Sequence, residues 1–165
     1  DGNLSNVALP PFNISSLPVT IELWYKPDPV QNEYATVWYN REATVSSGVQ
    51  YDRWEDQSKI KAVWNNASRV PDTRPMAGQW NHVALVVTES SKTLYINDIA
   101  FEETGTLTNY PFDEITYLGF DPVISSRTLK GQIDEVRIWT VERSAQDLSD
   151  NKFRILEGNE SGGGL

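Results

Sequence analysis

The chain of 165 residues contains no cysteine, one histidine and one methionine. It therefore has no thiolate ligand, no cysteine nucleophile and no multi-histidine metal site. A Ser-His-Asp triad would have to use His82, which lies in an alternating segment and is predicted to be structural. Apolar runs of membrane-spanning length are also absent, which predicts no membrane insertion. These absences exclude several classes of enzyme and metalloprotein.

Basic residues are scarce, with 14 Lys and Arg against 23 Asp and Glu, a net charge of -9. Such a chain repels a phosphate backbone, so nucleic acid is not an expected partner. Hydrolysis of a glycosidic bond needs two carboxyl groups that flank it, and on a strand these must alternate to share one face. Here the acidic residues occur as adjacent pairs, and neighbours on a strand point to opposite faces. We therefore predict that the chain is not an enzyme. The pairs are Glu55-Asp56, Glu102-Glu103, Asp113-Glu114 and Asp134-Glu135.

Short segments with a period of two dominate the chain, and 9 Pro and 10 Gly separate them. This pattern predicts an all-β fold, a sandwich or a barrel, with at least eight strands. One short helix is predicted over residues 144–153, with Ser144 as its N-cap, lying across one end of the fold. The predicted strands cover residues 19–27, 35–41, 48–54, 59–65, two within 79–97, 114–120 and 130–140.

Six segments in the same order resemble the laminin-G-like and pentraxin-like modules of extracellular proteins. They are residues 1–10 (DGNLSNVALP), 20–27 (TIELWYKP), 79–84 (QWNHVA), 94–98 (LYIND), 131–139 (GQIDEVRIW) and 143–145 (RSA). The resemblance implies a two-sheet antiparallel β-sandwich, a concanavalin A-like jelly roll with a short helix near the C-terminus. We assign residues 1–158 to this domain and residues 159–165 to a Gly-rich linker or tail.

Many modules of this kind carry a structural Ca²⁺ between the N-terminal segment and the last long strand. The resemblance places Asp134 on that strand, and Asp1 and Gly2 where the other ligands would lie. A Ca²⁺ ion needs six to eight oxygen ligands, and backbone carbonyls can complete the set. The alternative is that Asp134 pairs with a neighbouring cation or a backbone amide. Asp121 is a weaker candidate, because its Asp-Pro context equally favours a turn.

Tryptophan is abundant, with 6 residues, and several share a strand phase with polar side chains. If the apolar phase forms the core, Trp38 and Trp54 lie on outer faces, where flat rings stack against sugars. Trp64 lies nearby, although its phase also favours the core. Asn40 and Asp52 share the phase of the first two rings and could bind sugar hydroxyls. The remaining residues, Trp24, Trp80 and Trp139, belong to the framework pattern of the resemblance.

Together these features predict a non-catalytic binding module of a larger secreted or cell-surface protein. The first hypothesis is a lectin-like, carbohydrate-binding module, and the alternative is a protein-interaction or architectural module of an adhesin or toxin. A divergent glycanase is the third. The expected partners are a glycan or a protein at the cell surface and flanking domains of the same polypeptide, and the expected ion is Ca²⁺. The fold alone cannot decide, because ligands are set by loops and faces.

Overall fold

The computed structural model describes residues 6–42, 45–53, 58–107, 114–157 and 160, with Glu42 described by its backbone only. Eleven β-strands and one short α-helix lie in these ranges. They are β1 (Val7–Leu9), β2 (Val19–Pro27), β3 (Thr36–Glu42), β4 (Val45–Tyr51), β5 (Ile60–Trp64), β6 (Ala67–Arg69), β7 (Asn81–Val87), β8 (Ser91–Ile96), β9 (Ile99–Thr104), β10 (Thr116–Leu118), β11 (Gly131–Trp139) and α1 (Ala145–Asn151). Among the described residues, no helix is long and apolar enough to cross a membrane.

The strands form two antiparallel sheets that pack face to face. The six-stranded sheet has the order β1-β10-β3-β4-β5-β6, and the five-stranded sheet has the order β11-β2-β7-β8-β9. Both sheets contribute side chains to one hydrophobic core. The predicted all-β fold, a two-sheet antiparallel sandwich with a short C-terminal helix, is confirmed.

The five-stranded sheet follows the predicted alternation closely. The inward side chains of its strands β2, β7 and β8 are at most 3% exposed, and each contributes about 1.5–3 kcal/mol by its burial. They are Val19, Ile21, Leu23, Tyr25, Val83, Leu85, Val87, Leu94 and Ile96. The period of two therefore identified the core face of β2, β7 and β8 correctly.

The predicted phase of β3 is wrong, because one extra residue interrupts its pairing with β4. Thr36 pairs with Gln50, whereas Trp38 pairs with Val49. A bulge of this kind moves every following side chain to the opposite face of the sheet. Trp38 therefore joins Val49 in the core, and Tyr39 lies on the outer face. Alternation in the sequence cannot register such an insertion.

The helix α1 lies on the outer face of the five-stranded sheet rather than across one end of the sandwich. Its only buried side chain, Leu148, packs with Ala84 and Val86 of β7. The predicted N-cap is confirmed: the Ser144 hydroxyl accepts a hydrogen bond from the Asp147 backbone N–H, and the Asp147 carboxylate accepts one from the Ser144 backbone N–H. An amphipathic helix with one apolar position covers the sheet face that would otherwise be in water.

Candidate functional site

The tryptophans proposed as sugar contacts do not form an exposed row. Trp38 is 1% exposed and Trp64 is 0% exposed, and both belong to the core between the sheets. For Trp38 the cause is the bulge in β3, and for Trp64 it is the phase shared with buried Ile60 and Ala62. The predicted surface position is wrong for Trp38. The core position that the phase of Trp64 favours is confirmed, so its proposed sugar contact is not supported, and Trp54 lies outside the described residues.

The two polar residues proposed beside those rings are also buried, and both have partners inside the protein. The Asn40 side chain, 0% exposed, donates hydrogen bonds to the Glu114 carbonyl oxygen and the Thr116 hydroxyl. The Asp52 carboxylate, in a residue 2% exposed, accepts a hydrogen bond of 2.9 Å from Lys61 Nζ. Neither side chain is exposed enough to reach a ligand on the surface, so their assignment as sugar contacts is wrong for this conformation.

The framework tryptophans differ strongly in exposure. Trp139 is fully buried, and its indole N–H donates a 2.8 Å hydrogen bond to Glu22, which also accepts from His82 Nε2 at 2.9 Å. Trp24 is half-buried and donates to the Lys152 carbonyl oxygen. His82 is 2% exposed and its ring lies 5.3 Å from the Trp24 ring, which fits the predicted structural role.

Trp80 is 41% exposed, although the pattern assigned it to the framework. It directly precedes β7, where the chain leaves the loop of residues 70–78. The ring is thus the most accessible of the described tryptophans, because the other described rings are buried or half-buried.

The predicted calcium ligand Asp134 is exposed on β11 and faces a cavity of about 430 Å³. Asn6 and Val7 line the same cavity, so the N-terminal segment runs beside this part of β11. The Asp134 carboxylate accepts a hydrogen bond of 2.8 Å from the Glu135 backbone N–H. Within the described part of the chain, no three His, Cys, Asp or Glu side chains are grouped as metal ligands, and Asp1 and Gly2 lie outside it.

A cluster of charged and aromatic side chains occupies the outer face of the six-stranded sheet and the loop after β10. We call it the arginine-aromatic cluster; its members are Tyr34, Arg41, Tyr117, Phe120, Asp121 and Arg127. All except Asp121 are half-buried, so their polar edges and rings reach the surface. In the pairing of β10 with β3, Tyr117 lies opposite Tyr39. Arg41 is two residues after Tyr39 in β3 and therefore lies on the same face of the sheet. The Tyr117 and Phe120 rings meet edge-on at 6.0 Å.

Asp121 holds the cluster together through both of its carboxylate oxygens. Oδ2 accepts hydrogen bonds from Arg41 at 2.7 Å and from Arg127 at 3.0 Å. Oδ1 accepts from the backbone N–H groups of Val123 and Ile124, at 3.0 and 3.2 Å. The side chain is 0% exposed, so these four donors compensate the loss of water. This explains Asp121 without a metal ion.

Tyr34 covers the other side of the cluster in an unusual backbone conformation. Its φ angle is +55°, a left-handed value that costs a bulky residue about 1–3 kcal/mol. The ring stacks under the Arg127 guanidinium at 4.7 Å and lies 5.4 Å from Lys61 Nζ. Because strained residues concentrate at ligand sites, Tyr34 marks this face as a functional candidate.

Beneath the cluster, the Tyr39 ring packs against the backbone of Gly48 in the six-stranded sheet. Tyr39 pairs with Gly48 of β4, and a Cβ added to Gly48 would lie 2.4 Å from the Tyr39 ring. Burial raises the pKa of Tyr39, whose hydroxyl donates to Ser46 Oγ at 3.2 Å. Two buried polar atoms here, Gln50 Oε1 and Arg41 Nε, have no hydrogen-bond partner among the described residues. Both atoms lie inside the protein, so this close-packed layer supports the cluster from below rather than contacting a ligand itself.

Comparison with known families assigns the fold. The family model described as the Concanavalin A-like lectin/glucanases superfamily, of the laminin G type, matches residues 1–149. The chain belongs to this superfamily. This match confirms the resemblance drawn from the sequence motifs. Among the curated protein sequences, none matches this chain.

Solved structures show the same fold at low sequence identity. Domain 4 of AbnA, an extracellular GH43 arabinanase from Geobacillus stearothermophilus in complex with arabinotriose, has a TM-score of 0.68 and 22% identity, covering 88% of this chain and 71% of that chain. A putative carbohydrate binding protein from Bacteroides ovatus has a TM-score of 0.78 and 17% identity, with coverage of 94% and 46%. Domains LG4-5 of the mouse laminin alpha1 chain have a TM-score of 0.65 and 16% identity, with coverage of 82% and 39%. This chain thus spans less than half the length of the Bacteroides ovatus protein and of the laminin fragment.

Sequence reasoning missed the arginine-aromatic cluster, although signals for parts of it exist. An Asp-Pro pair after a strand indicates a loop that the carboxylate can organise, as Asp121 does. Arg41 is hidden by the bulge, since simple alternation assigns it to the face opposite the one it occupies. Its contact with Arg127 through Asp121 joins distant parts of the chain and has no local signal.

Proposed function

We propose that the chain is a non-catalytic carbohydrate-binding module of a larger extracellular protein. The observation that carries the proposal is the half-buried Tyr117–Phe120 pair beside the charged groups of Arg41, Asp121 and Arg127. Aromatic rings next to fixed hydrogen-bonding groups match the apolar faces and hydroxyls of a sugar. The superfamily, the arabinotriose complex of the AbnA domain and the putative carbohydrate binding protein support the same class of ligand.

A role in binding rather than in catalysis fits the chemistry of the cluster. Glycoside hydrolysis uses two carboxyl groups placed about 5–10 Å apart, one of which gives or takes a proton. The carboxylate in this cluster, Asp121, is saturated by four donors and is inaccessible to a substrate. It therefore serves to position side chains.

We also propose a structural Ca²⁺ ion at Asp134, with Asp1 and Gly2 supplying further oxygens. The support is that Asn6 and Val7 line the same cavity as Asp134, so the start of the described chain and β11 border one cavity. The ion would fasten this segment to the edge of the five-stranded sheet. Thermal unfolding with Ca²⁺ and with a chelator tests it: Ca²⁺ should raise the melting temperature, and Asp134→Ala should abolish the rise.

Glycan binding is tested by calorimetric titration with arabinotriose and a panel of neutral and acidic oligosaccharides. Tyr117→Ala and Phe120→Ala should each weaken binding about tenfold, since a ring contact contributes on the order of 1 kcal/mol. Phe153→Ala is the matched control, because this ring is 78% exposed beside the other sheet. Equal losses in all three variants, or a panel without any binding, would refute the proposal.

A protein-interaction or architectural role is the second candidate, favoured by exposed apolar side chains near the described C-terminal end. Phe153 is 78% exposed and Ile155 is 91% exposed. Exposed apolar groups that adjoin one another are typical of contacts with another protein surface. This role predicts no glycan response, so the titration panel also separates the two candidates.

A further inference from the structure

The arginine-aromatic cluster carries more positive than negative charge in a chain that is otherwise strongly acidic. Arg41 and Arg127 both form ion pairs with the same carboxylate, that of Asp121. Neither arginine has a second acidic partner among the described residues. One carboxylate cannot neutralise two guanidinium groups, which remain charged at any ordinary pH. Among the residues that the structure describes, the cluster therefore has one positive charge more than its negative charge.

This excess charge lies in a partly desolvated place. The side chains of Arg41 and Arg127 are only 17% and 21% exposed, and the carboxylate between them is fully buried. Burial of an uncompensated charge is unfavourable unless an anion or a polar group completes its environment. The third positive group on this face, Lys61, forms its own ion pair with Asp52 at 2.9 Å and leaves the imbalance unchanged. This local excess occurs in a chain whose net charge is -9.

Building on the proposed glycan function, we propose that the arginine-aromatic cluster selects sugars that carry a carboxylate, such as uronic acids. The carboxylate binds the guanidinium groups of Arg127 and Arg41, while the Tyr117–Phe120 pair contacts the sugar ring. A planar guanidinium matches a carboxylate with two parallel hydrogen bonds, which gives both affinity and selectivity.

The stacking of Arg127 on Tyr34 prepares the guanidinium for this role. The Arg127 Cζ atom lies 4.7 Å from the centre of the Tyr34 ring, and this cation–π contact restricts the position of the guanidinium. Tyr34 itself is held at a φ of +55°, so the ring is positioned by the turn before β3 and not by a flexible side chain alone. We assign Tyr34 as a positioning residue for Arg127.

The test compares acidic oligosaccharides with neutral counterparts of the same size: oligogalacturonates with galacto-oligosaccharides, and glucuronoxylan fragments with xylo-oligosaccharides. Titrations are run in low salt and in about 1 M NaCl, where the screening length is about 3 Å. The key variant is Arg127→Gln, which leaves Asp121 paired one-to-one with Arg41. Arg154→Gln changes the net charge equally and lies in the exposed segment after α1. Arg127→Lys restores the charge without the planar fork.

We expect an acidic ligand to bind more tightly than its neutral counterpart and to weaken in high salt. Arg127→Gln should bind the acidic ligand about tenfold more weakly, because it loses a charged hydrogen bond to the ligand carboxylate. Its affinity for the neutral ligand should hardly change. Arg154→Gln should change neither, and Arg127→Lys should recover part of the loss. Circular dichroism and melting temperature of each variant confirm that the fold is kept.

Two other results separate the inference from the function on which it rests. Neutral glycans that bind as tightly as acidic ones, with equal effects of Arg127→Gln on both, would overturn the selectivity and leave the glycan function intact. Equal losses in Arg127→Gln and Arg154→Gln would also overturn it, since the attraction would then come from overall charge. A panel in which no glycan binds overturns both proposals.

Discussion

The buried carboxylate of Glu22 offers the sharpest test of how the outer face of the five-stranded sheet is stabilised. Glu22 is 1% exposed and accepts hydrogen bonds from His82 Nε2 and from the Trp139 indole N–H, at 2.9 and 2.8 Å. Glu22→Ala removes the acceptor and leaves two donors buried, each at a cost of about 1–3 kcal/mol. With the added loss of packing, we expect the free energy of unfolding to fall by about 3–5 kcal/mol.

For a protein of this size the loss corresponds to a melting temperature lower by about 10 °C. Glu22→Gln should cost less, because its amide oxygen still accepts from one donor while its NH₂ group faces the other. Glu102→Ala, on the exposed side of β9, removes the same charge and should stay within about 0.5 kcal/mol of the original protein. Urea unfolding followed by tryptophan fluorescence measures all three. A cost below about 1 kcal/mol for Glu22→Ala would refute the reasoning.

Three further predictions concern other parts of the fold. Gly48→Ala places a Cβ 2.2 Å from a backbone carbonyl oxygen of β3, so it should lower the free energy of unfolding by more than about 2 kcal/mol, measured by thermal unfolding. Gly105→Ala is the control: Gly105 has nearly the same φ angle and no atom within 4 Å, so the loss should be much smaller. Ser144→Ala should lower the stability by about 1 kcal/mol, and it should also reduce the loss of stability in acid. Hydrogen bonds from Ser144 hold the pKa of Asp147 below 3.8, so their contribution is present above that pH and is lost as the pH falls through the lower folded-state value. Burial raises the pKa of Tyr51 to about 12, so stability should decline as the pH rises from about 10 to 12, which a spectrophotometric tyrosine titration with parallel circular dichroism measures.

The sequence was sufficient for the sheet in which strands alternate without interruption. Residues 19–27 were predicted as one strand and β2 has these bounds, with the apolar phase in the core. The two strands of residues 79–97 likewise became β7 and β8. Alternation succeeds there because one face of each strand is covered by the opposite sheet, so burial and sequence follow the same period.

The errors come from features that have no period. A single extra residue in β3 moved Trp38 and Asn40 from the predicted surface to the interior. β6 and β9 were not predicted, since their exposed residues have no apolar alternation and depend on pairing with β5 and β8.

The candidate site was beyond prediction for a related reason. Asp121 joins a strand residue, Arg41, to a residue of its own loop, Arg127, and only the folded loop shows that contact. The motif also assigned Trp80 to the structural framework, whereas the structure leaves this residue 41% exposed.

The position of β2 between β11 and β7 has a consequence for how the chain reaches its native state. Pro27 pairs with Gly131 and Thr20 with Trp139, so one side of β2 stays unpaired until a strand much later in the chain has been made. β1 likewise has no partner strand until β10 has been made. Contacts so distant in sequence must overcome a large loop-closure entropy, which places folding in the millisecond-to-second range. Until β11 emerges from the ribosome, the early strands present open edges, and we expect nascent chains ending before residue 131 to be aggregation-prone rather than partly folded.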